Sequence, residues 1–300
     1  MHRPLALVAV PTARDRRRAV ADLVALTKPR VVVMVLLTTV VGYYVGLVGP
    51  ADYARLGHLV LGTVLAAGGA LALNQYWERE VDAQMDRTRS RPLPAGRLEP
   101  RDALLFGVTL TVLGVLDLAA GVSPLAALVT VAIVAIYVLG YTPLKLRTPL
   151  CTVVGAIPGA LPPVTGWVAA RDELSLGAWA LFAIVFLWQL PHTLAIARLY
   201  RDDYARASIQ LLPVVDAAGR STERQIVASC AALLVVGPLP AVLGLAGALY
   251  FTAAVVLGVV FVILATCQAL APSAATARRV LFASLFYLPV LLTVLALDKQ

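Results

Sequence analysis

Four polar residues recur at every fourth position where an apolar stretch gives way to charge: Asn74, Glu78, Asp82 and Asp86. On a helix each step of four drifts about 40°, so Asn74, Glu78 and Asp82 fall within about 80° of one face. Oxygen donors lined along one face suit Mg²⁺, which prefers a few carboxylates plus substrate phosphates to an all-protein cage. Asn74, Glu78 and Asp82 are therefore candidate metal ligands and catalytic residues. Pro92 and Pro94 are expected to end this helix, with the arginine-rich stretch 87–97, including Arg87 and Arg91, forming a loop. An ordinary solvated loop would explain the arginines, but not a carboxylate ladder that begins inside an apolar helix.

A second polar cluster runs Trp188-Gln189-Leu190-Pro191-His192 and on to Tyr200, Asp202, Asp203 and Tyr204. A polar helix end would explain it alone; its twin placement points to a site shared with the first cluster. Between them, Tyr141, Lys145 and Arg147 bring two cations to a short loop, where they could hold a diphosphate or merely mark topology. His192 and Asp203 are eleven residues apart. On a continuous helix both would share one face, with His192 some 16 Å deeper.

The elements that must position these groups are membrane helices. Of the 300 residues, 60% are hydrophobic and 14% charged, against about 25% charged in a soluble domain. That excludes a soluble domain, a disordered chain and a disulfide scaffold. The three cysteines, Cys151, Cys230 and Cys267, lie in apolar runs without metal-ligand spacing. Nine stretches could span a bilayer: 31–48, 57–75, 103–120, 124–141, 151–170, 176–197, 226–245, 249–270 and 280–297. The charge-free run 226–271 is divided near Gly244 and Gly247. Gly155, Pro158, Gly159, Pro162, Pro163 and Gly166 break the fifth span, which suits a helix lining an internal chamber.

Residues 1–26 read as a basic cytoplasmic tail centred on Arg14, Arg16, Arg17 and Arg18. With the N-terminus inside, alternation places 22 of the 25 Lys and Arg in inner segments, leaving only Arg55, Arg171 and Lys299 outside. This bias supports nine spans and a multi-pass protein of the inner (cytoplasmic) cell membrane. The net charge of +8 therefore reports topology, and no nucleic-acid partner is expected.

The spacing Asn-x₃-Glu-x₃-Asp at Asn74, Glu78 and Asp82 resembles the first acidic motif of the UbiA-type intramembrane prenyltransferase superfamily. Four stretches resemble its haem-farnesylating branch: 74–96, 141–167, Trp188-Gln-Leu-Pro-His192 and 200–215. The match runs from about residue 27 to the C-terminus and implies one all-α, nine-helix intramembrane prenyltransferase domain over 27–300, around a central chamber. It further implies transfer of the farnesyl group of farnesyl diphosphate to a vinyl group of haem B, with water added, giving haem O for terminal oxidases. Mg²⁺ would bind with the diphosphate, on Asn74, Glu78, Asp82 and Asp203, and haem B is substrate rather than cofactor. Arg87, Arg91, Tyr141, Lys145, Arg147, Trp188, His192, Tyr200, Asp202 and Tyr204 would contact the substrates. Partners would be the lipid bilayer and, downstream, haem A synthase or oxidase assembly proteins.

The wider superfamily commonly has acids four apart in its second motif, where this chain has Tyr200 and Tyr204. The number of bound Mg²⁺ ions is therefore open. His192 admits two roles, a satisfied packing residue or a contact to haem, whose iron commonly takes an imidazole. Two other functions are compatible with the composition. One is prenylation of a different aromatic or tetrapyrrole acceptor. The other is secondary transport, which would place polar groups at the bilayer midplane rather than at inner helix ends.

Overall fold

The computed structural model describes residues 13–216 and 218–300, with side chains from Arg17 onward. The reading of residues 1–12 as a basic tail lies outside the described residues. Within the remainder of that stretch, Ala13–Leu26 forms the helix α1. Its sequence holds good helix formers and no Gly or Pro, and Leu26 is fully buried against Ala72 and Ala103.

The chain continues through α2 (Pro29–Gly46), α3 (Tyr53–Asp82), α4 (Pro100–Gly121), α5 (Pro124–Leu144), α6 (Cys151–Arg171), α7 (Leu176–Leu199), α8 (Arg201–Arg206), α9 (Arg220–Val242), α10 (Ala248–Leu270) and α11 (Ala274–Leu297). All but α1 and α8 are long and apolar enough to cross a membrane, giving nine candidate spans among the described residues. Proline opens α2, α4 and α5, where its missing N–H has no helical partner to lose. The seventh and eighth spans divide where expected, with Gly244 in the left-handed region between them. Tyr250 closes that corner by donating its hydroxyl to Gly237 O at 2.7 Å.

Three elements depart from the expected boundaries. The helix α3 stops at Asp82, ten residues before Pro92. Continued helix would bond the N–H groups of Asp86 and Arg87 to carbonyls four residues back; instead the Asp203 carboxylate accepts both, at 3.1 and 3.4 Å. The helix α7 breaks at Tyr200 (φ −111°, ψ 27°) before the short α8. His192 and Asp203 therefore do not share the face of one continuous helix. Finally, α5 opens into a π-helix over Ile136–Tyr141, closed by the Thr142 hydroxyl donating to Tyr137 O at 2.8 Å.

Close backbone approach sets the packing. A Cβ on Gly42 would lie 2.1 Å from Pro163 O, so α2 and α6 touch main chain to main chain. Gly69 and Gly114 make the same approach between α3 and α4. Broken by Pro162 and Pro163, α6 is 72% buried over its span, as its sequence implied. A core of Trp167, Leu181, Ile184, Phe261 and Tyr287 joins α6 and α7 to α10 and α11.

The three cations on the opposite side from the acidic clusters all cap helix C-termini. Arg55 donates to Val122 O at 2.8 Å, Arg171 to Gly46 O at 2.8 Å, and Lys299 to Tyr44 O at 2.7 Å. Unpaired carbonyls and the negative end of the helix dipole favour a cation there.

Gly166 tests the α2–α6 contact, because its Cβ would overlap the Thr39 backbone oxygen. Gly166→Ala should destabilise the protein by about 3 kcal/mol or more. Gly57→Ala, in open space on α3, should leave it unchanged or slightly more stable. Thermal unfolding of the detergent-solubilised protein reads both.

Candidate active site

The C-terminal end of α3 carries the acidic ladder, and cations from three other segments converge on it. Asn74 is buried; its amide nitrogen donates to the Thr142 hydroxyl at 3.1 Å, and Lys28 Nζ donates to its oxygen at 3.4 Å. One turn on, Glu78 pairs with Lys145 at 2.6 Å. Asp82, 1% exposed, pairs with Arg91 at 2.5 Å, and its backbone oxygen accepts from the Thr88 hydroxyl at 2.8 Å. The expected ladder therefore exists, with one cation on each rung.

Burial, then the nearby Arg91 and Lys145 charges, pull the Lys28 ammonium down to about 7. Burial also acts to lower Lys145, but Tyr141 and Glu78 more than offset it, holding the amine well above the ordinary lysine range. Lys145 Nζ also lies 4.4 Å from the centre of the Tyr141 ring. The neighbouring Tyr137 ring stacks on Tyr141 at 5.6 Å.

The second cluster forms a clamp on the loop after α3. Asp203 accepts the Asp86 and Arg87 amides and pairs with Arg206, which also reaches Asp86 at 2.7 Å. Partial burial pushes the Asp203 carboxyl up; the two backbone N–H groups and Arg206 more than offset it and hold it below the usual range. Arg87 lies over the rings of Tyr200 and Tyr204, at 5.8 and 5.7 Å. Gln210 N donates to Lys145 O at 2.6 Å, tying this segment to the α5 end.

Beyond the ion pairs lies a cavity of about 300 Å³ among α2, α3, α5, α6 and α7. Its walls are mostly apolar, including Val31, Val35, Ala66, Ala70, Leu71, Ile133 and Val134, with Tyr137 and Tyr141 toward the charged end. Such a space accepts a flexible hydrocarbon whose ionic head stays among the cations.

The donor set fits Mg²⁺ as a shared ion. Among the described residues no three His, Cys, Asp or Glu side chains enclose a metal. Asn74, Glu78 and Asp82 can thus fill only part of an octahedral shell, leaving the rest to phosphate oxygens and water.

Asn74, Glu78, Asp82, Arg91 and Lys145 come together beside Tyr141, which lines the cavity, while Arg87, Asp203, Tyr200 and Tyr204 form the adjoining clamp. Arg147 and Asp202 are exposed and make no ion pair among the described residues. Trp188 and His192 point elsewhere. They stack at 4.9 Å and bond to Ser284 of α11, Trp188 Nε1 to its carbonyl at 2.7 Å and His192 Nδ1 to its hydroxyl at 2.8 Å. The cavity is faced instead by Gln189 and Thr193 of the same helix. Sequence reading missed these two, with Lys28, Tyr137 and Thr142. Lys28 carried one signal, a lysine immediately before a proline that can open a helix, which counting it as a topology marker obscured.

The Asp203 clamp predicts a pH response. Because its folded value lies below the ordinary carboxylate value, its stabilisation is in place above that range and is lost as pH falls through it. Amide hydrogen exchange at Asp86 and Arg87 should accelerate on acidification relative to Ala72. Asp203→Asn should accelerate it about tenfold at neutral pH.

A model of the UbiA prenyltransferase family matches residues 35–288. The protoheme IX farnesyltransferase of Solibacter usitatus is 46% identical over 287 residues, covering 93% of this chain and 98% of the relative. That of Myxococcus xanthus is 42% identical, covering 93% and 95%. Among solved structures, a digeranylgeranylglyceryl phosphate synthase superposes with TM-score 0.78 at 16% identity, covering 93% of this chain and 98% of that one. A UbiA homologue from Archaeoglobus fulgidus bound to DMAPP and Mg²⁺ superposes with TM-score 0.68 at 16% identity, covering 92% and 99%.

Proposed function

Because this chain belongs to the UbiA prenyltransferase family, we propose that it transfers the farnesyl group of farnesyl diphosphate to a vinyl group of haem B, with addition of water, to give haem O and diphosphate. The observation that carries the chemistry is the Asn74–Glu78–Asp82 ladder, each rung paired with a cation, next to the Tyr141 end of an apolar cavity. The relatives' names support farnesyl and haem as the substrates. The fold's likeness to other UbiA structures supports the bundle, not the acceptor.

In this reading Asn74, Glu78 and Asp82 hold the diphosphate's Mg²⁺, which supplies Lewis-acid neutralisation of the leaving group. Arg91 and Lys145 exchange their carboxylate partners, and Lys28 its Asn74 amide oxygen, for phosphate oxygens, so fixed positive charge faces the oxygens that gain electrons as the allylic C–O bond breaks. Asp203 positions the loop that carries Arg91. Tyr137 and Tyr141 present ring faces to the allylic cation, and the apolar walls hold the chain away from water. No general base is needed at the carbon that reacts. Trp188 and His192, bonded to Ser284, act through the α7–α11 contact.

The acidic side faces the cytoplasm of a cell whose inner membrane holds the protein, where soluble farnesyl diphosphate is available. Haem O then passes to haem A synthase or oxidase assembly proteins.

Purified protein given farnesyl diphosphate, haem B and Mg²⁺ should yield haem O by mass spectrometry. Prenylation of another tetrapyrrole or aromatic acceptor in its place would replace the acceptor assignment. Asp82→Asn should insert and fold normally yet lose transfer by about a hundredfold or more; normal turnover would remove Asp82 from the site. For orientation, a membrane-impermeant thiol reagent outside intact cells should label Asp172→Cys and miss Ser90→Cys.

A further inference from the structure

We infer that Gln189 and Thr193 of α7, with Thr152 of α6, hold a short chain of water molecules, one of which supplies the oxygen of the product hydroxyl. The inference rests on the haem-farnesylation reading and assigns residues to its last step.

Three of the six threonines lining the cavity are satisfied by their own helices. Thr39 donates to Val35 O at 2.9 Å, Thr130 to Ala126 O at 2.9 Å and Thr165 to Leu161 O at 3.5 Å. Thr152 is different: it is 5% exposed, faces the cavity, and its hydroxyl has no partner. Gln189 and Thr193 also face the cavity and make no side-chain hydrogen bond among the described residues. Buried polar groups left unpaired are rare, and a water bridging two to four of them is the usual remedy. Thr63 is unpartnered too, but it sits about 16 Å from Asn74 along α3, remote from the ionising bond.

Their placement follows the seam between α6 and α7. Gly155 abuts the Tyr141 ring, on which Lys145 lies. One turn further, a Cβ on Gly159 would fall 2.1 Å from Gln189 Oε1, so the absent side chain leaves the amide its place. Thr193 is one turn from Gln189 toward the charged end, and Thr152 is three residues from Gly155 in the same direction. The three polar groups therefore run past the level of Tyr141, beside the site of ionisation, along an otherwise apolar wall.

The chemistry there requires one water. The farnesyl C–O bond breaks with its electron pair on the diphosphate. The terminal vinyl carbon bonds to farnesyl C1, leaving positive charge on the carbon attached to the pyrrole. Water oxygen donates a lone pair to that carbon, and the proton it releases goes to diphosphate. Without a positioned water, the same cation loses a proton from the adjacent methylene and gives an alkene lighter by one water.

The test is product analysis by mass spectrometry in oxygen-labelled water, with farnesyl diphosphate, haem B and Mg²⁺. Gln189→Leu and the near-isosteric Thr193→Val should each lower the ratio of labelled hydroxyl product to alkene by about tenfold, the scale of one lost hydrogen bond. Thr193→Ser, which keeps the hydroxyl, should retain the wild-type ratio. Slower turnover at an unchanged ratio in Thr193→Val and Gln189→Leu would mean a packing role and overturn the assignment, as would loss of the ratio in Thr193→Ser. A wild-type protein forming no farnesylated haem would overturn the underlying reading and this one with it.

Discussion

A buried carboxylate at the end of an apolar helix is tolerable only when a cation meets it. Taking each ion out of water costs several kcal/mol, and a pair at 4 Å regains about 4 kcal/mol at an effective dielectric of 20. The two quantities are comparable. Pairs of this kind fix geometry while remaining open to exchange. Here Lys28 joins the α1–α2 junction to Asn74, Lys145 joins α5 to Glu78, and Arg91 folds the loop back onto Asp82. The helix ends on this side of the bundle meet where these groups pair.

The remaining architecture gives that charged rim an apolar interior to open onto. Glycine contacts close α2 against α6 and α3 against α4, and cations cap the far helix ends. One end of the cavity is thus ionic and the rest hydrocarbon. That polarity matches an amphiphile with an anionic head, and it explains why so few titratable groups are needed.

The nine spans, the acidic ladder and the broken α6 were legible in the sequence because each depends on local composition and periodicity. What was illegible depends on distant partners. Nothing near Asp82 announces that α3 ends there; Asp203, 117 residues from Asp86, takes the amides that would have continued it. The break at Tyr200 likewise voids any facing argument that carries His192 to Asp203. Trp188 and His192 drew attention as polar groups in an apolar helix, yet the partner that satisfies them is Ser284, 92 residues from His192. Lys28 was visible but counted with the topology markers.

The π-helix at Ile136–Tyr141 adds a constraint of a different kind. A π turn accommodates an extra residue without lengthening the helix. Removing one residue within it would restore ordinary winding and leave the residues beyond it facing as before, whereas removing one from the α-helical part of α5 would rotate them by about 100°. In that second case Lys145, four residues past Tyr141, would swing away from Glu78 while its own identity and its neighbours stayed the same. A one-residue change in length is therefore a lesser hazard inside the π segment than elsewhere in α5. Chimaeras that exchange α5 must preserve residue count in its α-helical part before they preserve residue type.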